Sequence, residues 1–159
     1  MARPLDTARL GDHIDRLYRA ACALTGSRLT ADDLVQETYA RVLSKPRLIR
    51  KEDDVGYLLR TMRNVFLDQR RMAARRATDP APPEDLDRIA DAPSPQQAVE
   101  HRELLGAIAA LPDDFRDVLV AVDVAGLSYE EAAKALGVPQ GTVMSRLYRA
   151  RKRLIQQVG

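Results

Sequence analysis

The chain has 159 residues, room for one large domain or two small ones. Its 25 Lys and Arg nearly balance 23 Asp and Glu, so a net charge of +2 selects no class of partner. A single cysteine excludes an intramolecular disulfide and a cysteine-rich zinc site, and no apolar run approaches the roughly 18 residues of a membrane span or forms a signal-peptide core.

A soluble, cytoplasmic protein with no direct membrane insertion is therefore expected. Without Trp, its core must be aliphatic. The charge is unevenly spread. Residues 1–76 carry 16 basic against 10 acidic side chains, residues 77–103 carry 2 against 7, and residues 104–159 carry 7 against 6. Two regions suit nucleic acid, and the segment joining them would be repelled by phosphate.

The first predicted helix covers residues 9–25. Leu10, Ile14, Leu17, Ala21 and Leu24 recur at helical spacing, and Gly26 ends it. Cys22, in an Ala-rich stretch, reads as a small buried thiol rather than a redox sensor. Thr30 is expected to cap a second helix reaching Ser44, with Asp32 and Asp33 in its first turn, where the positive helix end favours carboxylates. Leu34, Val35, Val42 and Leu43 are its core candidates. Asp33, Gln36, Glu37 and Arg41 form a polar face, which composition alone explains as solvated.

Residues 44–53, SKPRLIRKED, read as a connection. Pro46 disfavours helix before it. Lys45, Arg47, Arg50 and Lys51 surround Leu48 and Ile49. Such a loop either binds nucleic acid or is tacked to the core by its two apolar residues.

Asp54 can cap a long helix to about Arg76. Tyr57, Leu58, Met62 and Val65 make its buried stripe. Arg60, Asn64, Arg71 and Arg75 share another face, widened by Arg63, Arg70 and Arg76. Asn64 is a poor helix former, but it carries the donor and acceptor needed to read a base edge. Acidic partners are nearly absent nearby, which weighs against a merely solvated arginine face.

Residues 77–95 hold five of the nine prolines with Asp79, Glu84, Asp85, Asp87 and Asp91. This composition cannot build a core and predicts an extended, mobile tether. Beyond it, a helix from Pro95 to Ala110 has Val99, Leu104, Leu105 and Ile108 as apolar positions. Pro112 with Asp113 and Asp114 starts another, burying Phe115, Val118, Leu119 and Val122 as far as Val124. Gly126 ends it.

The last stretch, Leu127 to Leu154, has the pattern of a helix-turn-helix. Ser128 and Glu131 stand at capping-box spacing, and Leu127 can act as a staple against Ala132. Gly137-Val138-Pro139 makes the turn. Ala132, Ala133, Leu136, Val138, Val143 and Leu147 suit closely crossing helices. Arg146, Arg149, Arg151, Lys152 and Arg153 follow with no acidic residue after Glu131. Taken alone, a basic helix in any bundle would look similar, because a helix C-terminus favours cations.

No catalytic signature emerges. His13 and His101 lack nearby metal-ligand partners, no Gly-rich phosphate loop occurs, and the paired acids sit at proposed helix starts. An enzyme, a metal or a cofactor is not expected. The fold class expected is all-α. Two small helical domains, 1–76 and 96–159, are joined by a flexible Pro/Asp-rich linker, 77–95, and the second contains a helix-turn-helix.

Together the two ends resemble a family. DDLVQETYARV (32–42) looks like the region-2 motif of the extracytoplasmic-function (ECF) sigma factors of bacterial RNA polymerase, in the sigma-70 family. YLLRTMRNVFLD (57–68) looks like the promoter-melting helix of that domain. Leu111-Pro112, AGLSYEEAA (125–133), GVP (137–139), GTV (141–143), SRL (145–147) and RAR (149–151) look like region 4. The motifs cover nearly the whole chain in the family's order.

The resemblance implies roles. Asp33, Gln36, Glu37 and Arg41 would dock on the clamp helices of core RNA polymerase, which reverses the solvated reading of that face. The loop from Lys45 to Val55, with Arg47, Arg50 and Lys51, would capture a base flipped from the minus-ten element of promoter DNA. Arg60, Asn64, Arg71 and Arg75 would hold the melted strand. Gln140, Thr142, Met144, Ser145, Tyr148 and Arg149, with Arg146 nearby, would meet the minus-thirty-five element in the major groove. A cognate anti-sigma factor, often membrane-bound in this family, would restrain the protein in the cytoplasm or near the membrane.

Two positions depart from the family. It usually has a basic residue where Met144 stands, and methionine cannot donate to guanine. It often has Trp where Tyr57 stands. Two rival readings are a stand-alone helix-turn-helix regulator and a sigma mimic that titrates an inhibitor. Only a working sigma factor gives specific initiation with core polymerase.

Overall fold

The structure, a computed structural model, describes residues 3–4, 7–44, 48–49, 54–76 and 95–158. Its first half opens with a two-residue strand β1 (Arg3–Pro4) and a 3-10 helix (Thr7–His13). Helices α1 (Ile14–Thr25) and α2 (Arg28–Ser44) follow, then a two-residue strand β2 (Leu48–Ile49) and α3 (Asp54–Arg75). The second half holds α4 (Pro95–Ala109), α5 (Asp113–Leu119) running into a π-helical segment (Val120–Val124), α6 (Tyr129–Leu136) and α7 (Gln140–Val158). The all-α class expected from the periodicity is what forms. The strands β1 and β2 amount to one short antiparallel pairing of Arg3 with Ile49 and Pro4 with Leu48.

Helix boundaries follow local chemistry. Gly26 ends α1 in the left-handed region (φ 77°), and its N–H is donated to the Cys22 carbonyl. The next helix starts three residues earlier than a cap at Thr30 predicts. Ser27 takes the cap position instead, accepting from the Thr30 N–H at 3.4 Å. Thr30 therefore lies inside α2, and Asp32 and Asp33 fall in its second turn rather than its first. At α6 the expected capping box is complete. The Glu131 N–H is donated to Ser128 Oγ at 3.0 Å and the Ser128 N–H to Glu131 Oε1 at 2.8 Å.

In the first half, α2 packs between α1 and α3. Leu10, Leu17, Ala21, Leu24, Leu34, Val35, Val42, Leu58, Met62 and Val65 are buried as their periodicity predicts. Ile14 and Leu43 are exposed instead. Ile14 is the first α-helical residue after the 3-10 turn, so the spacing counted from Leu10 does not carry through it. Thr38 is buried, and its hydroxyl is satisfied by donating to the Leu34 carbonyl. The Tyr39 hydroxyl donates to the Leu10 carbonyl and ties the 3-10 turn to α2.

A run of five residues in α1, of which only Ala21 and Leu24 belong to the predicted stripe, settles the architecture. Ala20, Ala21, Cys22, Ala23 and Leu24 are consecutive and all buried. A helix buried on every side needs neighbours on every side. Here α1 packs on α2 and α3 within its own half, and on α4 and the π segment of the other. The α3 helix likewise meets α6. One core thus runs through both halves.

In the second half, Leu105, Ile108, Val118 and Leu119 are buried, whereas Leu104 is exposed. The π segment is closed by the Ala125 N–H donated to the Val120 carbonyl, and Gly126 (φ 77°) turns the chain into the helix-turn-helix. Val143, Leu147 and Ala150 seat α7 on α5 and α6.

Candidate nucleic-acid and polymerase interface

Three surfaces carry the residues singled out from the sequence. The first is on α2. Asp33, Gln36, Glu37 and Arg41 are all exposed, at helical spacing along one side. Arg41 is also drawn inward, with its Nη1 donated to Asp68 Oδ2 at 3.3 Å and its Nε 3.8 Å from Glu37. It therefore belongs partly to the second surface.

That second surface is a cleft of about 580 Å³ between α2 and α3, lined by Arg41, Ser44, Tyr57, Thr61, Asn64 and Arg71, among others. Asn64 and Arg60 are exposed along α3, and Arg71 is held 3.7 Å from Asp68. Arg75 is exposed one turn further on. Cationic edges around a polar floor suit a nucleotide, with guanidinium groups for phosphate and an amide for a base edge. Ser44 and Thr61 were not singled out from the sequence. Their signal was weak, because a lone hydroxyl on a helix is usually solvated. Lys45, Arg47, Arg50 and Lys51 lie outside the described residues.

The third surface is the exposed side of α7. Gln140, Met144, Ser145, Tyr148 and Arg149 recur along it, with Met144 49% and Tyr148 69% exposed. Large apolar side chains left this open suit a partner surface. Thr142 and Arg146 are half-buried beside this face. Arg146 leans back toward Asp114 at 3.8 Å. Arg151 is withdrawn further by a two-pronged contact with Asp123, at 2.9 and 2.6 Å. That hydrogen-bonded carboxylate raises the Arg151 pKa above its ordinary value. Arg153 lies over the Phe115 ring. The basic run after residue 145 is thus split, with Arg149 and Lys152 facing outward and Arg151 paired within the domain.

Where the two halves meet, the expectation of few acidic partners for the α3 arginines is corrected. Arg63 donates from Nε to Asp117 of α5, and Arg70 donates from Nη1 to Asp113 at 2.9 Å. Arg116 lies between them, almost wholly buried, donating to Asp113 at 2.9 Å and to Asp117 at 3.2 Å. Arg116 and Arg70 both stack on Phe66. The hydrogen bond from Arg70 holds the Asp113 carboxyl below its ordinary pKa. The acids lie 54 and 43 residues further along the chain, so the α3 stretch alone does not reveal them.

Two family models match the chain in order. Residues 10–76 match Sigma-70 region 2 and residues 101–154 match Sigma-70, region 4. The ECF RNA polymerase sigma factor SigE of Mycolicibacterium smegmatis is 42% identical over 148 residues, 89% of this chain. The chain spans 57% of that relative's length. The ECF sigma factor EcfG of Rhodopseudomonas palustris is 34% identical over 142 residues, covering 89% of this chain and 78% of that relative. The sigma factor RpoE of Bartonella quintana, solved with the anti-sigma factor NepR, superposes with a TM-score of 0.74 at 26% identity and 94% coverage of both chains. The chain belongs to the ECF sigma factors of the sigma-70 family. No helix among the described residues is long and apolar enough to cross a membrane.

Proposed function

We propose that this sigma factor joins core RNA polymerase through Asp33, Gln36, Glu37 and Arg41, and grips promoter DNA at two points. One grip is the α2–α3 cleft, where Asn64 and its neighbours Arg60, Arg71 and Arg75 hold the melted minus-ten strand, helped by Lys45, Arg47, Arg50 and Lys51. The other is α7, whose Gln140, Met144, Ser145, Tyr148 and Arg149 face the minus-thirty-five element, flanked by Thr142 and Arg146. The chain performs no covalent chemistry. Polymerase supplies that, and the sigma factor supplies position and strand separation. Flipping a base from the duplex costs a few kcal/mol, offset by pocket contacts and charge pairing with the backbone. The linker, 77–95, lets the domains 1–76 and 96–159 reach both elements. A cytoplasmic anti-sigma factor, or the cytoplasmic part of a membrane-bound one, restrains the protein, in keeping with the complex in which its Bartonella relative was solved.

The observation that carries this reading is the pairing of an arginine-and-asparagine cleft in region 2 with an open helix face in region 4. Either surface alone would fit a simpler DNA-binding protein. Transcription in vitro with purified core polymerase and a randomised promoter library tests it. Initiation at a discrete set of sequences is expected. A stand-alone regulator or a sigma mimic would give none. In the same assay Asp33→Ala with Glu37→Ala should weaken core binding, and unchanged affinity would remove the docking assignment.

A further inference from the structure

The cations of α7 fall into two sets. An α-helix turns about 100° per residue, so Arg149 and Lys152 lie within about 40° of Ser145, near the middle of the open face. Arg146 stands about 100° to one side of Ser145 and Arg151 about 120° to the other. A helix with its side chains is about 10–12 Å across, and the major groove is about 12 Å wide. A helix seated there turns its open face to the bases and its flanks to the two phosphate backbones. Arg146 and Arg151 are thus the cations best placed for phosphate, yet each is faced by a carboxylate of its own half.

The Arg151 flank is held more tightly. Its Nε and Nη2 donate to the two carboxylate oxygens of Asp123 at 2.9 and 2.6 Å. A guanidinium uses the same two-pronged geometry on phosphate. The side chains are 48% and 33% exposed, so the pair is no part of the core and adds little to stability. Asp123 belongs to the π-helical segment Val120–Val124. Such segments carry one extra residue in a turn and are frequent at functional sites. On the opposite flank, Asp114 stands 3.8 Å from Arg146. Moving Arg151 onto a phosphate would leave the Asp123 carboxylate unpaired beside the DNA polyanion. The exchange gains one attraction and adds one repulsion, so the pair stays closed on DNA.

We infer that Asp123 is a guard, which occupies Arg151 in place of phosphate and so limits how tightly α7 holds DNA of any sequence. The inference rests on the seating of α7 in the major groove proposed above. Sequence-independent affinity comes almost wholly from phosphate contacts. With a flank cation withheld, region 4 holds DNA chiefly through its open face and is not trapped on unrelated sequences.

Fluorescence titration of the full chain tests this, on one duplex with a matched minus-thirty-five element and one with a scrambled element, over a range of salt. Asp123→Asn should tighten both by the same factor, roughly 3- to 10-fold at about 0.1 M salt, and steepen the log–log salt dependence by about 0.9, as one added phosphate contact does. Asp123→Asn with Arg151→Gln makes a neutral pair and should restore wild-type affinity and slope. Glu130→Gln changes the net charge equally, but it releases Lys134 on α6 and should tighten binding far less. Circular dichroism checks that each variant keeps its helix content, and the neutral pair decides alone if the single Asp123 change does not. The guard is refuted if Asp123→Asn leaves affinity and slope unchanged. It is refuted if the neutral pair binds both duplexes more weakly than wild type, because Arg151 would then already contact phosphate. It is also refuted if Glu130→Gln tightens binding as much, because net charge would then suffice. Arg149→Ala keeps the guard and the base-reading role of α7 apart. If that change leaves the matched duplex unaffected while the Asp123 variants behave as expected, base reading fails and the guard stands. If it weakens the matched duplex while Asp123→Asn does nothing, the reverse holds.

Discussion

Arg149 and Arg151 show how neighbouring cations acquire different roles. They stand two positions apart, about 200° around a helix. Arg149 points outward, while Arg151 is held by Asp123. Only Arg149 is free to meet a base edge. Arg149→Ala should weaken binding to a matched minus-thirty-five duplex by roughly 1–3 kcal/mol, with less loss on mismatched DNA. Equal losses on every sequence, in a fluorescence titration at fixed salt, would mark it as a phosphate contact. Met144 stands one turn N-terminal to Tyr148 on the same open face. Lacking a donor, Met144 would leave its base position in the proposed duplex contact to be read by apolar contact, such as with a thymine methyl. Both placements follow from side-chain type and helical spacing. The withdrawal of Arg151 does not, because Asp123 comes from the preceding π segment.

At the scale of elements, the helix-turn-helix was the most legible part of the chain. Its cap, turn and apolar positions are encoded within a few residues of one another, so local chemistry decides them. Ser128→Ala removes the acceptor for the Glu131 N–H and disrupts the reciprocal box. It should cost about 1 kcal/mol of stability, seen as a lower denaturation midpoint for the full chain. No change in midpoint would mean that tertiary packing alone positions α6. The second helix was less legible. Thr30 and the acids after it make a plausible cap, but Ser27 lies immediately after Gly26 and captures the Thr30 N–H first. Two acceptable caps three residues apart cannot be ranked by propensity, since the choice depends on how tightly the turn from α1 must close.

For the whole molecule, the decisive place is the junction of α1 with α4. Gly26 has φ +77°, and a Cβ added there would lie 3.2 Å from the Ala109 Cβ. Gly26→Ala therefore imposes left-handed backbone strain of about 1–2 kcal/mol and presses on the opposite half. It should lower thermal stability and loosen the contact between the halves together, read by melting and small-angle scattering on the same sample. A loss of stability with no change in compactness would confine the effect to the α1 cap. Such a contact was hidden because the predicted boundary, the acidic proline-rich stretch, argues for two separate domains. The excess of buried alanines in α1 was the available sign that a second neighbour exists.

By itself the sequence determined the helical class, most helix ends, the order of the two regions and which side chains are chemically able to meet polymerase and DNA. Those properties depend on residues close together in the chain, through periodicity, capping and side-chain chemistry. Only the tertiary structure decided that Arg41 shares the cleft with Asn64, that Arg63 and Arg70 are taken by Asp117 and Asp113, and that the halves share a core. These are pairings between residues up to 109 positions apart. They depend on which surfaces the folded halves bring together, and no local pattern specifies that.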